Sequence, residues 1–156
     1  MSSPNGHGPG SGRGSAAERN VAAVRSFLRL LEEKDIDAWI ELWAGDADHY
    51  YPYGGAMFPP HLVGKAAIYE RWKDMPQMFD SLSFPIRETW ADGDTVIARF
   101  DSDNVMAGTG GRRYRNTYVC IFKFDRAGKL REYHEYFDPI IAGVDYGLAE
   151  VRYLNG

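Results

Sequence analysis

Two segments decide the fold: RRYRNTYVCIFKF at residues 112–124 and KLREYHEYFD at residues 129–138. Both are rich in aromatic and β-branched residues, which favour β-strands. The turn sequence DRAG at residues 125–128 separates them, and its Gly128 suits a backbone position with positive φ. The pattern predicts two antiparallel strands joined as a hairpin.

Two further segments of the same character precede this hairpin. They cover Leu82–Trp90 and Thr95–Ala107, and the turn sequences ADGD (91–94) and GTGG (108–111) follow them. Four strands joined by short Gly-containing turns predict an antiparallel meander.

The residues before the meander carry helical patterns instead. Ser15 begins a capping box, and apolar residues then recur at helical spacing to about Glu33. A second, shorter helix begins at Asp35 or Asp37 and ends at Gly45, and a third runs from Gly64 to Pro76. The apolar stripe of the second helix consists of Ile36, Trp39, Ile40 and Trp43. A short strand is predicted at Asp48–Tyr53, between the second and third helices.

Helices followed by strands are typical of an α+β domain. We expect three N-terminal helices to pack on a strongly bent antiparallel sheet, in one domain covering residues 15–156. Residues 1–14 are rich in Gly and Ser and are predicted to form a flexible tail outside the fold. The length of 156 residues suits a single domain.

Composition excludes several classes of function. The net charge of -4 gives no basic patch of the kind that nucleic acids require. The single Cys120 cannot form an intramolecular disulfide, and a reducing cytoplasm fits best. No segment is apolar for long enough to span a membrane, and no motif indicates a metal or a cofactor.

A bent sheet under helices encloses a cavity, which is where small ligands usually bind. Because side chains alternate along a strand, Tyr133, Glu135 and Phe137 share one face of the last strand. A carboxyl group among aromatic rings suits acid/base catalysis. On the Thr95–Ala107 strand, Arg99 and Asp101 share one face, and the sequence does not decide which face lies inside.

The catalytic candidates are Glu135 and Asp101, which would exchange protons with the substrate, and Arg99, which would keep Asp101 ionised. The candidates for substrate binding are Tyr51, Tyr53, Tyr118, Tyr133, Phe137, Trp39, Trp72 and Trp90. This interpretation requires both acids to face one cavity, and a position on the outer surface for either would end the enzymatic interpretation. The alternatives are a structural role for Glu135, paired with an arginine, and a protein that binds its ligand without catalysis.

Four motifs resemble the SnoaL-like branch of the superfamily of proteins similar to nuclear transport factor 2. They are YPYGG (51–55), LVGKAAI (62–68), YRNTYVCIF (114–122) and EYFDP (135–139). The resemblance covers residues 15 to 139 and implies a cone-shaped α+β barrel and a homodimer.

The resemblance also implies roles for individual residues. In the similar PhzA/PhzB proteins of phenazine biosynthesis, a Glu on the last strand acts as acid and base, and Glu135 occupies that place. Arg99-Phe100-Asp101 with Glu135 resembles the catalytic trio of limonene-epoxide hydrolases, although the first strand lacks the Asn of that family. The implied function is a cofactor-independent isomerase or cyclase acting on a small hydrophobic, ring-containing intermediate of secondary metabolism, with a hydrolase as the alternative.

Overall fold

The computed structural model describes the backbone of residues 11–155 and the side chains of residues 16–155. The helices are α1 (Ser11–Glu32), α2 (Ile36–Ile40), α3 (Lys65–Trp72) and α4 (Pro139–Asp145), with a 3₁₀ turn at Met75–Met78. The strands are β1 (Trp43–Tyr50), β2 (His61–Val63), β3 (Phe79–Ser81), β4 (Ile86–Asp92), β5 (Thr95–Met106), β6 (Arg113–Phe124) and β7 (Leu130–Phe137).

The α+β class is confirmed, and the described residues form one curved, open sheet rather than a closed barrel. The strand order is β2-β1-β7-β6-β5-β3, with β4 paired to another part of β5. Strands β4, β5, β6 and β7 form the predicted four-stranded antiparallel meander. The prediction of a wholly antiparallel sheet is wrong, because β1 runs parallel to β7. A parallel pair needs a long connection, and here the chain from β2 to β6, which includes α3, provides it.

The prediction of three N-terminal helices is not confirmed in detail, because one long helix is followed by two short ones. The second helix ends at Ile40, and Trp43 begins β1. The predicted apolar stripe of this helix therefore includes a residue that belongs to a strand. Of the predicted tail, residues 1–10 lie outside the described residues, and residues 11–14 belong to α1. Within residues 11–155, no helix has the length and apolar character to cross a membrane.

Near two prolines, the observed boundaries of helices and strands differ from the predicted ones. Pro76 does not end the third helix, which stops at Trp72; it lies in the first turn of the 3₁₀ segment, where a missing N–H is tolerated. The predicted strand Leu82–Trp90 begins only at Ile86, as β4, directly after Pro85, and β3 lies before its predicted start. Strand β2 is an addition that the sequence pattern did not predict.

The core lies between α1, α2 and the inner face of the sheet. Its centre is a cluster of five fully buried rings, in which Phe27 lies 5.1–6.0 Å from each of the other four. These four rings belong to Trp39, Trp43, Phe122 and Tyr133. Because the cluster joins α1 to both β1 and the meander, it fixes the position of the helix over the sheet.

We expect Phe122→Ala to lower the free energy of unfolding by about 3–5 kcal/mol, because it removes a buried ring and leaves a cavity. Lys123→Ala is the matched control, since Lys123 is adjacent in β6 but its side chain is partly exposed and pairs with Glu132 over 3.6 Å. Its effect should stay below about 1 kcal/mol. Urea unfolding measures both, and equal losses would contradict this account of the core.

Candidate functional site

The inner face of the meander, α1, α3 and the residues after α4 enclose a cavity of about 280 Å³. Five of the predicted substrate-binding residues line it: Tyr51, Trp72, Tyr118, Tyr133 and Phe137. The walls are therefore mainly aromatic. The volume is at the lower end of the range for small-molecule sites, which favours a small ligand.

Glu135 also lines the cavity, as predicted from the alternation of β7. It is only 7% exposed and lies opposite Cys120 of β6. One of its oxygens, Oε2, lies 3.3 Å from Nε2 of His49. No hydrogen bond from the described residues reaches the other oxygen, Oε1, so it is available to a ligand.

His49 is the functional residue that the sequence left undecided. It is fully buried, and burial lowers the pKa of its imidazole, although the hydrogen bond and the charge of Glu135 act in the opposite direction. The indole Nε1–H of Trp72 donates to its Nδ1 over 3.4 Å. A neutral imidazole with an acceptor at Nδ1 has its proton on Nε2. His49 therefore donates to Glu135 and orients the carboxylate.

The parallel pairing of β1 with β7 places His49 beside this carboxylate. His49 is the register partner of Tyr133, two residues before Glu135. Its ring lies 4.2 Å from Tyr51 and 4.8 Å from Tyr133. Aromatic side chains thus surround the imidazole and exclude water from the hydrogen bond to Glu135.

The prediction that Asp101 shares the cavity with Glu135 is wrong. The inner face of β5 is the one that carries Phe100, and the preceding Arg99 and the following Asp101 lie on the outer face. Asp101 accepts a hydrogen bond of 2.8 Å from Nε of Arg87, which holds the pKa of its carboxyl group below the usual value. Arg99 pairs with Glu88 at 3.4 Å, also on the outer face. The two-acid site and the trio of the epoxide-hydrolase type are therefore not assembled.

Three predicted binding residues are also absent from the cavity wall. Tyr53 is 60% exposed, and its ring packs against Tyr136 on the outside. Trp90 is 50% exposed and lies on the outer face of β4. Trp39 is buried, but it lies behind Trp72 and Phe27 of the cavity wall, with ring centroids 4.9 and 5.1 Å away.

Other cavity residues were not predicted. Arg71 of α3 lines the wall, with its guanidinium 5.8 Å from the ring centre of Phe58. Tyr114 and Tyr146 add two phenols to that of Tyr118. Alternation along β6 could have identified Tyr114, whereas Tyr146 lies in the C-terminal segment, whose course the sequence did not indicate.

Cys120 is buried, as predicted, and burial raises the pKa of its thiol. Its sulfur accepts a hydrogen bond of 3.4 Å from the hydroxyl of Tyr133. Among the described residues, no group of three or more His, Cys, Asp or Glu side chains is arranged to hold a metal ion.

Comparison with known proteins identifies a matching family model and a similar sequence. The model of the SnoaL-like domain matches residues 24–133. The chain is 33% identical over 132 residues to the uncharacterized protein YesE of Bacillus subtilis, covering 83% of this chain and 88% of that protein.

Two solved structures show the same fold. A Bacillus subtilis protein described as "Putative Isomerase" has a TM-score of 0.78 and 32% identity, covering 88% of this chain and 99% of the other. A phenazine biosynthesis-related protein of Pseudomonas aeruginosa has a TM-score of 0.74, covering 97% of this chain and 93% of the other. Its identity of 15% supports the fold alone.

The lowered pKa of His49 predicts how stability depends on pH. The unfolded chain takes up a proton at this side chain below its ordinary value of 6.5, whereas the folded protein does not. Stability that is present above that value is therefore lost as the pH falls from about 6.5 toward the lower folded-state pKa. We expect His49→Gln to lose less stability than the wild type between about pH 7 and pH 5.

Urea unfolding of both proteins at the two pH values measures this difference. His61→Gln is the control, because His61 is on the outer side of the sheet and pairs with Asp48. That variant keeps the contribution of His49. Identical pH dependence in the wild type and in His49→Gln would contradict the assignment of a neutral, buried imidazole.

Proposed function

The chain belongs to the SnoaL-like domain family, and from this premise we propose that it is a cofactor-independent isomerase or cyclase that works by acid/base catalysis. Its substrate would be a small, mostly apolar, ring-containing intermediate of secondary metabolism. The aromatic residues of the cavity wall, Tyr51, Trp72, Tyr118, Tyr133 and Phe137, would hold the ring. The name of the similar Bacillus subtilis structure supports the isomerase class.

The observation that carries the proposal is the state of the Glu135 carboxylate. His49 fixes one oxygen, and the other has no hydrogen-bond partner among the described residues. A carboxylate that is oriented, largely buried and open to the cavity on one side is suited to take a proton from a bound molecule. A purely structural carboxylate is expected to have partners for both oxygens.

The two buried groups would have separate roles. Glu135 would remove a proton from a carbon atom of the substrate and return it to another atom, so that bonds rearrange without net loss of a proton. His49 would remain neutral throughout, because burial disfavours its charged form. It would therefore position Glu135 rather than accept the proton itself.

The position of Asp101 on the outer face ends the two-acid enzymatic interpretation that the sequence predicted, and the proposal made here is a different mechanism that uses one acid. With one acid in the cavity, Glu135 must act first as base and then as acid. A single group that removes and returns the proton acts on one face of the substrate. In a fraction of turnovers it returns the original proton before that proton exchanges with solvent.

A specific observation favours a second candidate, a protein that binds such a ligand without catalysis. Among the described residues, Glu135 is the only acid that lines the cavity. The sequence interpretation required two acids for catalysis. Binding without proton exchange would support this candidate.

We expect Glu135→Gln to slow proton exchange by at least about 100-fold, because an amide cannot act as the base. The probe is 2-tetralone, a small ring ketone with acidic C–H bonds, in deuterium oxide, and NMR measures deuterium incorporation. Asp101→Asn is the matched control, since it neutralises an acid on the outer face and should leave the exchange rate unchanged. Normal exchange in a folded Glu135→Gln variant would refute the mechanism, and binding without exchange in the wild type would support the second candidate.

We also propose that the protein forms a homodimer through the outer face of the sheet. Trp90, Ile97 and Ile121 are register neighbours across β4, β5 and β6, and Trp90 is half exposed. Val119 adds a further exposed apolar side chain to this face. Apolar side chains in a row on a sheet face are typical of an interface.

Ile121→Lys should weaken such a dimer, because it places a charge within the row of apolar side chains. Sedimentation velocity should show a shift toward the monomer at micromolar concentration. Val63→Lys, at the edge of the sheet on β2, is the control and should not shift the equilibrium. A monomeric wild type, or a dimer unaffected by Ile121→Lys, would refute this interface.

A further inference from the structure

The aromatic cavity opens to solvent beside Arg71. Of the residues that line the cavity, Arg71, Met78 and Leu148 are exposed, and they therefore mark its opening. Met78 and Leu148 are apolar, so Arg71 is the charged member of this set. It is also the only cation among the described residues of the cavity wall.

An aromatic stack, rather than an acid, holds the guanidinium group of Arg71. Its central carbon, Cζ, lies 5.8 Å from the ring centre of Phe58. The ring of Phe58 in turn stacks on that of Tyr51, with ring centres 5.5 Å apart and planes 22° from parallel. A cation over an aromatic ring is attracted by the π electrons. The stack therefore places the charge against the cavity wall without the help of a carboxylate.

No acid among the described residues forms an ion pair with Arg71. Glu70, its neighbour in α3, pairs with Lys73 over 2.7 Å. Glu135, the acid of the cavity wall, pairs with His49 instead. The charge of Arg71 thus has no carboxylate partner in this part of the chain. A guanidinium group in this state can donate two parallel hydrogen bonds to a carboxylate of a ligand.

The charge of Arg71 acts on groups inside the cavity. Burial lowers the pKa of the His49 imidazole, and the charge of Arg71 acts in the same direction. Burial raises the pKa of the Tyr51 hydroxyl, whereas the charge of Arg71 opposes this rise. Both effects have the sign of a positive potential. A cleft with apolar walls concentrates such a field, so an anion at the opening is attracted to Arg71.

The helix that carries Arg71 does not explain the direction of its side chain. Arg71 is in the last turn of α3, where a cation interacts favourably with the helix dipole. That interaction needs only a charge near the helix end, and a side chain that extends into solvent would provide it. The Arg71 side chain instead packs on Phe58 and lines the cavity, which is the placement of a group that binds a ligand.

We propose that Arg71 binds a carboxylate group of the ligand at the opening of the cavity, while the ring of the ligand lies inside among the aromatic residues. A carboxylate matches the site because one cation compensates one negative charge, whereas a phosphate monoester carries almost two. The ligand is thus an apolar ring with one acidic substituent. This inference rests on the cavity being the ligand site of the proposed function, but not on proton transfer by Glu135.

The test compares 2-naphthoate with 2-naphthamide, which has nearly the same shape and no charge. Wild-type protein should bind 2-naphthoate about five- to tenfold more tightly, an effect between those of an exposed ion pair and of a buried hydrogen bond to a charged group. Isothermal titration calorimetry at neutral pH measures both affinities.

Arg71→Gln should abolish this preference, because the amide is polar but carries no charge. Its affinity for 2-naphthamide shows whether the cavity is intact. Arg71→Lys keeps the charge without the paired donors and should keep part of the preference. Arg25→Gln is the matched control, since it removes an equal charge from an exposed side chain of α1 that does not line the cavity, and it should keep the preference in full.

The inference is overturned if the wild type shows no preference for 2-naphthoate, if a folded Arg71→Gln keeps the preference in full, or if Arg25→Gln loses it equally. The exchange of 2-tetralone separates this inference from the proposed function. A wild type that prefers 2-naphthoate but does not exchange 2-tetralone would refute the catalytic proposal and leave the carboxylate site standing. Exchange without the preference would overturn the carboxylate site alone. Glu135→Gln should lose the exchange and keep the preference, because Arg71 is unchanged in it.

Discussion

The hydrogen bond between His49 and Glu135 is the constraint on which the rest of the site depends. A carboxylate in an aromatic cavity is costly unless a donor compensates for the lost water, and an imidazole in the same place has the same requirement. Each group satisfies the other. The indole of Trp72 completes the arrangement, since it fixes the tautomer of His49 that donates to the carboxylate. Removing any one of the three would leave a buried polar group without its partner.

The fold supplies this hydrogen bond through a pairing that local sequence patterns do not reveal. The alternation of β7 predicted correctly that Glu135 faces inward with Tyr133 and Phe137, because the opposite face is much more polar. The position of His49 depends on the parallel pairing of β1 with β7, which joins residues that are about 86 positions apart. The apolar spacing of Ile36, Trp39, Ile40 and Trp43 also suggested that the second helix extends to Trp43, whereas Trp43 is the first residue of β1.

The error on β5 has a different cause. Its inner face includes Ser102 and Asn104, whose side chains accept hydrogen bonds from backbone N–H groups of Asn116 and Ser83. Its outer face includes Ile97 and Val105, which are partly covered. Both faces therefore carry polar residues in the sequence, but the charged ones, Arg99, Asp101 and Asp103, all lie on the outer face. The partners of the inner polar residues, on β6 and in the segment between β3 and β4, are not evident from the local pattern.

The distribution of polar groups in the cavity limits the chemistry of its ligand. The hydroxyl groups of Tyr114 and Tyr118 pair with each other, whereas one oxygen of Glu135 has no hydrogen-bond partner among the described residues. A hydrocarbon in this space would cover that oxygen without pairing it, at a cost in free energy. A ligand that presents a donor or an acidic proton to Glu135 would avoid this cost. The free carboxylate oxygen thus favours such a ligand over an apolar molecule of equal size.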